Sequence, residues 1–157
     1  MNDTASPQIF WYNGVMKILQ SGHGTYFAEY HIVWIPKYRR RILNPDVAAY
    51  CKQIFPKIFE MMPGAALVKV NIQIDHIHMV AVIPPKYAVC DVVGLAKGKS
   101  SSLLRKRYQW LGRVFWKENI VWSPGYFVST VGLDEAFILR YIEYQQHQDS
   151  GQCALEF

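Results

Sequence analysis

Between Val68 and Ile83 the chain alternates apolar and polar residues in two consecutive runs with hardly a residue between them. In the first, Val68, Val70, Ile72 and Ile74 alternate with Lys69, Asn71, Gln73 and Asp75; the second runs from His76 and stops at Pro84-Pro85. Period-two alternation is the mark of a strand, and strands joined by so tight a connection, near Gln73 to His76, are neighbours in one sheet. The pairing also dictates where the histidines point. His76 and His78 share a face with Val80 and Val82, while Ile77, Met79, Ala81 and Ile83 take the other. Two imidazoles one residue apart on a strand make a chelating pair, and neutral imidazole, with a pKa near ~6.5, is the commonest metal ligand. Standing alone, the pair is more simply explained as two ordinary strand residues.

The rest of the chain supplies partners for that hairpin. Tyr30 to Ile35 reads as a strand, with His31, Val33 and Ile35 on one face, and it ends at Pro36. Asn44-Pro45-Asp46 starts a helix that Val47, Tyr50, Cys51, Ile54 and Ile58 carry to about Met62, where Pro63-Gly64 stops it. Cys90 to Tyr108 is helical again, although Gly94 and Gly98 weaken it and a break near Gly98 fits equally well. Tyr126 to Val131 is strand-like and Gly132 punctuates it; Asp134 then caps a helix reaching about Gln148, with Ile138, Tyr141, Ile142 and Gln145 along one side. The order β-α-β-β-α-β predicts an α+β, ferredoxin-like (RRM-like) antiparallel sheet with helices on one face and an added C-terminal helix. On that helix Tyr141 and Gln145 stand one turn apart and could join a polar site. Amphipathic core packing accounts for Tyr141 as well, and Tyr144 and Gln148 repeat the same spacing.

Composition narrows the class. A chain of 157 residues with 51% hydrophobic content is most simply one domain able to bury a core without staples. Three scattered cysteines without a Cys-x-x-Cys unit exclude a zinc-finger spacing and point to reduced thiols in a cytoplasmic protein. No secretory leader is evident, and no apolar run approaches the ~18 residues that span a bilayer, so no membrane partner is expected. The net charge of +5 is segregated. Between Asp91 and Glu118 there are no acids but seven bases, Lys97, Lys99, Arg105, Lys106, Arg107, Arg113 and Lys117; Lys37-Tyr38-Arg39-Arg40-Arg41 forms a second cluster. Basic stripes interleaved with Tyr38, Tyr108, Trp110 and Trp116 suit a polyanion with unpaired bases, whereas either cluster alone fits a solvated face equally well.

Four blocks, in this order and spacing, resemble the small single-tyrosine HUH transposases of the insertion sequence 200/605 group. They are Tyr30-His31-Ile32-Val33-Trp34 with Lys37-Tyr38-Arg39-Arg40; Asp75-His76-Ile77-His78; Lys97-Gly98-Lys99-Ser100-Ser101; and Gly125-Tyr126-Phe127-Val128-Ser129 with Tyr141-Ile142-Glu143-Tyr144-Gln145. They span roughly residues 21–148, leaving 1–20 as an extension and 149–157 as a tail to which no role is assigned.

The resemblance implies that Tyr141, which opens the family's Tyr-Ile-x-x-Gln unit, is the nucleophile, and that Tyr144 is not. It implies a divalent ion, Mg²⁺ or Mn²⁺, held by His76, His78 and Gln145; a register shift would substitute His147 or Gln148. It further implies Gly132 as the hinge of the tyrosine helix, and a homodimer in which each helix reaches the histidines of the other subunit. The expected reaction is cleavage and rejoining of single-stranded DNA at hairpin-bearing element ends through a 5′-phosphotyrosine. Candidates for contacting the DNA, chosen by charge, are Lys37, Arg39, Arg40, Lys97, Lys99, Arg105 and Arg107. His31 could join the site by residue type but reads as structural, and Asp75 could orient a histidine but reads as a turn residue. A domesticated or replication-initiating relative using the same site, and a ferredoxin-like binding module without catalysis, are the alternatives.

Overall fold

The structure, a computed structural model, describes residues 10–12, 16–21, 24–26, 28–116, 118–130 and 135–151. A four-stranded antiparallel sheet is built from β4 (Glu29–Trp34), β5 (Ala66–Gln73), β6 (His76–Val82) and β7 (Phe127–Ser129), in the order β5-β6-β4-β7. With α1 (Pro45–Phe59) between β4 and β5, and α2 (Val89–Arg107) and the short α3 (Leu111–Val114) between β6 and β7, this is the ferredoxin-like βαββαβ order. The helix α4 (Glu135–Asp149) follows β7. Asp134 and Gly132, the expected cap and hinge, lie outside the described residues.

The alternation read in the sequence explains how the layers assemble. Ile32 and Trp34 of β4 and Ile77, Met79 and Ala81 of β6 are all buried in the main core against α1 and α2. Asn44 caps α1, its side-chain oxygen accepting from the Val47 N–H at 3.0 Å. The inward stripe Val47, Cys51, Ile54, Phe55, Ile58 and Phe59 holds that helix on the sheet although Pro56 interrupts its hydrogen bonding. Contrary to the break entertained at Gly98, α2 is continuous; Val92, Val93, Ala96 and Leu104 are buried, so packing outweighs the low propensity of two glycines. The opposite sheet face carries His31, Val33, Ile35, His76 and His78, and α4 lies over part of it, with Tyr141 and Ile142 packed on Val33 and Ile35.

Two features lay outside the expectation. Residues of the N-terminal extension and the first part of the predicted core form a second antiparallel sheet of β1 (Phe10–Tyr12), β2 (Met16–Ser21) and β3 (Gly24–Tyr26). And the loop into β7 continues the hydrogen bonding of β4 past Trp34, the Ser123 N–H donating to the Ile35 carbonyl at 2.9 Å and the Lys37 N–H to that of Val121 at 2.8 Å. No described helix is long and apolar enough to cross a membrane.

Candidate active site

Strands β5 and β6 are joined by a two-residue turn, Ile74-Asp75, and the turn does more than reverse the chain. One Asp75 oxygen lies 2.9 Å from His76 Nδ1 and the other accepts from Arg39 Nε at 2.9 Å. Burial works against ionisation of Asp75, but hydrogen bonds from His76 and Arg39 outweigh it and hold the carboxyl below its ordinary range. An ionised carboxylate accepts, so His76 directs its Nδ1–H at Asp75 and leaves Nε2 facing away from it, the orientation by which a carboxylate prepares a histidine for a metal. Asp75 is therefore both turn residue and orienting partner.

His78 stands opposite Val33 in the β4–β6 register, and His31 opposite Val80, so the two imidazoles meet on the diagonal. His31 Nδ1 and His78 Nε2 are 3.2 Å apart, close enough to share one proton. Burial, then the neighbouring His31, His76 and Lys69, lower the pKa of His78 and favour its neutral, lone-pair-bearing form. Among the described residues no three His, Cys, Asp or Glu side chains converge as a metal-holding group. The donor set that does exist, an oriented His76 and a neutral His78, suits a divalent ion that takes further ligands from elsewhere.

Tyr141 packs on the same sheet face, over Val33 and Ile35, with its ring 5.4 Å from that of Phe127. Only 6% of it is exposed, and its hydroxyl is buried without a hydrogen bond. Burial pushes the phenol far above the ordinary tyrosine range, Tyr144 and Asp149 adding to the effect and the Gln145 side chain opposing it. One turn along, the Gln145 carboxamide is buried in a notch left by the missing side chain of Gly125, and its oxygen accepts from Ser123 Oγ at 2.9 Å. Gln145 thus turns to the loop before β7, while His76 and His78 turn to Asp75 and His31. His147 and Gln148, the alternatives to Gln145, are exposed, and the Gln148 amide donates to the Tyr144 hydroxyl.

The basic candidates divide by environment. Lys37 Nζ lies 3.3 Å from Asp149 Oδ1, and Arg39, besides holding Asp75, donates to Gln146 Oε1 at 3.0 Å. Arg40, Lys99 and Arg107 are exposed; Arg107 lies over the ring of Tyr50 at 4.8 Å, and Arg105 donates to Asn119. Lys97, expected to face DNA, is turned inward instead. Its ammonium donates to the carbonyls of Ser123 at 2.5 Å and Gly125 at 2.9 Å, and burial lowers its pKa to about 8. The hydrophobic spacing of α2 leaves that rotation open. Ser123 and Asp149 escape the sequence reading altogether, although Asp149 continues the inward stripe as the fourth residue after Gln145.

Fold and site together define a class: a ferredoxin-like domain that displays a strand-borne imidazole pair on the sheet face covered by a tyrosine-bearing helix. The chain belongs to the family of IS200-like transposases, whose profile matches residues 25–145. It is 35% identical over 127 residues to the transposase of insertion sequence element IS200 from Salmonella typhimurium, covering 81% of this chain and 82% of that one. The ISDra2 transposase TnpA of Deinococcus radiodurans is 32% identical over 133 residues, 83% of this chain and 94% of its own. A crystal structure of a transposase from Deinococcus radiodurans R1 superposes with a TM-score of 0.73 at 31% identity, over 80% of this chain and 96% of the other. The family match begins at residue 25, so β1 and β2 precede it.

Proposed function

We propose that this chain is a DNA transposase that cleaves and rejoins single-stranded DNA at hairpin-bearing element ends, with Tyr141 as nucleophile, working as a homodimer. The observation that carries the reading is the placement of His76, His78 and Tyr141 on one sheet face of a chain in this family. In the reaction the Tyr141 oxygen bonds to phosphorus as its proton leaves, the phosphorus–O3′ bond breaks, and the departing 3′ oxygen takes up a proton. The 5′ phosphate stays on the tyrosine, so the energy of the broken ester is retained and a second 3′ hydroxyl can reverse the step without ATP.

His76, His78 and, after rearrangement, Gln145 are the residues that would hold a Mg²⁺ or Mn²⁺ ion. Such an ion supplies charge neutralisation at the scissile phosphate. Asp75 orients His76, and the sheet fixes the spacing of the two rings. The buried, high-pKa phenol of Tyr141 is unreactive where it lies, and α4 must leave the Val33–Ile35 face before it can attack. Besides its polar contacts, the two fully enclosed described side chains of α4 that pack on the sheet, Tyr141 and Ile142, are each worth roughly 1.5–3 kcal/mol of burial. A helix so held is suited to reaching the histidines of another subunit.

Incubating the protein with labelled single-stranded DNA and Mg²⁺ tests the reading. A covalent DNA–protein adduct lost in Tyr141→Phe and retained in Tyr144→Phe is the expected result. The opposite pattern would move the nucleophile to Tyr144, and binding without any adduct would leave a ferredoxin-like binding module.

A further inference from the structure

The last turn of α4 places one carboxylate in a pocket made for an anion. Asp149 Oδ2 accepts from the backbone N–H of Tyr38 at 3.0 Å; Oδ1 lies 3.3 Å from Lys37 Nζ and 2.9 Å from Ser123 Oγ. Its side chain is 4% exposed and that of Lys37 16%, so the pair is well shielded from water. The pocket is shaped by backbone that favours such a ligand. Tyr38 and Arg39 both sit in the left-handed region, with φ of 57° and 51°, at a cost of roughly 1–2 kcal/mol each for residues with a Cβ. This turn aims the Tyr38 N–H at the carboxylate, as backbone nests do for phosphates. Ser123 is held beneath by its own N–H bond to Ile35. Its single hydroxyl proton lies within reach of two acceptors, the carboxylate and Gln145 Oε1.

We propose that the Lys37 ammonium, Tyr38 N–H and Ser123 hydroxyl form a seat for one backbone phosphodiester of single-stranded DNA, which Asp149 fills when DNA is absent. The inference rests on the reading of the chain as a single-strand DNA transposase and deepens it. The surroundings favour a phosphodiester over free phosphate. Tyr38, whose backbone builds the seat, exposes 38% of its surface beside it for a neighbouring base, and Arg40 is exposed next along the chain. A phosphate entering the seat must displace the carboxylate, so the intact protein binds DNA more weakly than its cations would allow. The displaced Asp149 takes up a solvent cation as the DNA gives one up, which cancels one phosphate contact from the salt dependence.

Oligonucleotide binding across a salt series, with wild type, Asp149→Asn, Asp149→Ala and Lys37→Ala/Asp149→Ala, tests this. Asp149→Ala is expected to bind single-stranded DNA on the order of tenfold more tightly at low salt. Its log–log salt slope should steepen by about 0.7, and the added Lys37→Ala should remove both gains. Asp149→Asn, which keeps the size and one acceptor, shifts the same way by less and covers the case in which the alanine variant fails to fold. In parallel, inorganic phosphate should raise the thermal midpoint of Asp149→Ala but not of wild type or the double variant. A folded Asp149 variant with no gain in DNA affinity, or weaker binding, overturns the proposal; a phosphate response without a DNA response overturns the phosphodiester assignment. Loss of the covalent adduct in wild type would refute the transposase chemistry while leaving the phosphate measurement to judge the seat.

Discussion

Gly125 and Gln145 interlock: a Cβ on Gly125 would come within 2.9 Å of the Gln145 carboxamide carbon and oxygen, and nearer still to its nitrogen. The loop before β7 therefore receives the Gln145 carboxamide in this position because residue 125 has no side chain. Gly125→Ala must expel the carboxamide from its notch and strip it of Ser123, at a cost of about 1–3 kcal/mol. The expected result is a lower thermal midpoint with the sheet intact, read by amide exchange as faster opening confined to α4. Unchanged exchange in α4 would mean that the helix does not depend on this contact.

Tyr141→Phe separates stability from activity. The hydroxyl is buried without a hydrogen bond, so removing it deletes an uncompensated desolvation penalty of roughly 1–3 kcal/mol. We expect the variant to be at least as stable as wild type in denaturant titration while forming no covalent adduct with DNA. A clear loss of stability would show that the phenol has a partner in solution.

Asp75→Asn removes the charge that orients His76 and anchors Arg39. Affinity for Mn²⁺, measured calorimetrically in the presence of single-stranded DNA, should fall by about 10–100-fold, as is usual when a histidine ligand loses its carboxylate. The pH dependence follows from the sign of the shift. The folded pKa lies below the ordinary value, so the contribution to stability is present above about pH 4 and is lost as pH falls through the folded pKa. The variant should show a shallower acid transition than wild type.

Lys97 behaves in the opposite sense. Its folded pKa of about 8 lies below the ordinary lysine value of 10.5, so the unfolded chain holds the extra proton between those values and stability rises with pH across that window. A neutral amine still has two N–H groups for the carbonyls of Ser123 and Gly125. Lys97→Met should flatten the rise and, by leaving both carbonyls unpaired, lower stability at neutral pH by about 1–3 kcal/mol. Retention of the wild-type slope between pH 8 and 10 would assign it to another group.

Local pattern carries most of the architecture. The alternation of Val68–Ile83 and of Tyr30–Ile35 locates three strands to within one or two residues, and Asn44-Pro45 marks the start of α1. Period two by itself also puts His76 and His78 on one face. What local pattern lacks is register and rotation. That His31 meets His78 depends on how β4 slides against β6, and His31 alone looks like any half-buried strand residue. The inward turn of Lys97 depends on the phase of a helix whose surface is basic on several sides. Lys37 and Asp149 are separated by 112 positions, and only the docking of α4 on the turn after β4 brings them together. The sheet of β1–β3 lies largely before the family match, so neither motif nor resemblance reaches it.

The turn Ile74-Asp75 makes chain length at this point a constraint on chemistry. Because α1 and α2 grip Ile77, Met79 and Ala81, β6 keeps its register when a residue is added before it, and the turn must take up the extra length. Asp75 would then be carried away from His76 and Arg39. Length variation among relatives should therefore gather elsewhere, in segments such as the one joining α3 to β7, and a copy with an insertion at this hairpin is expected to lose the hold of Asp75 on His76.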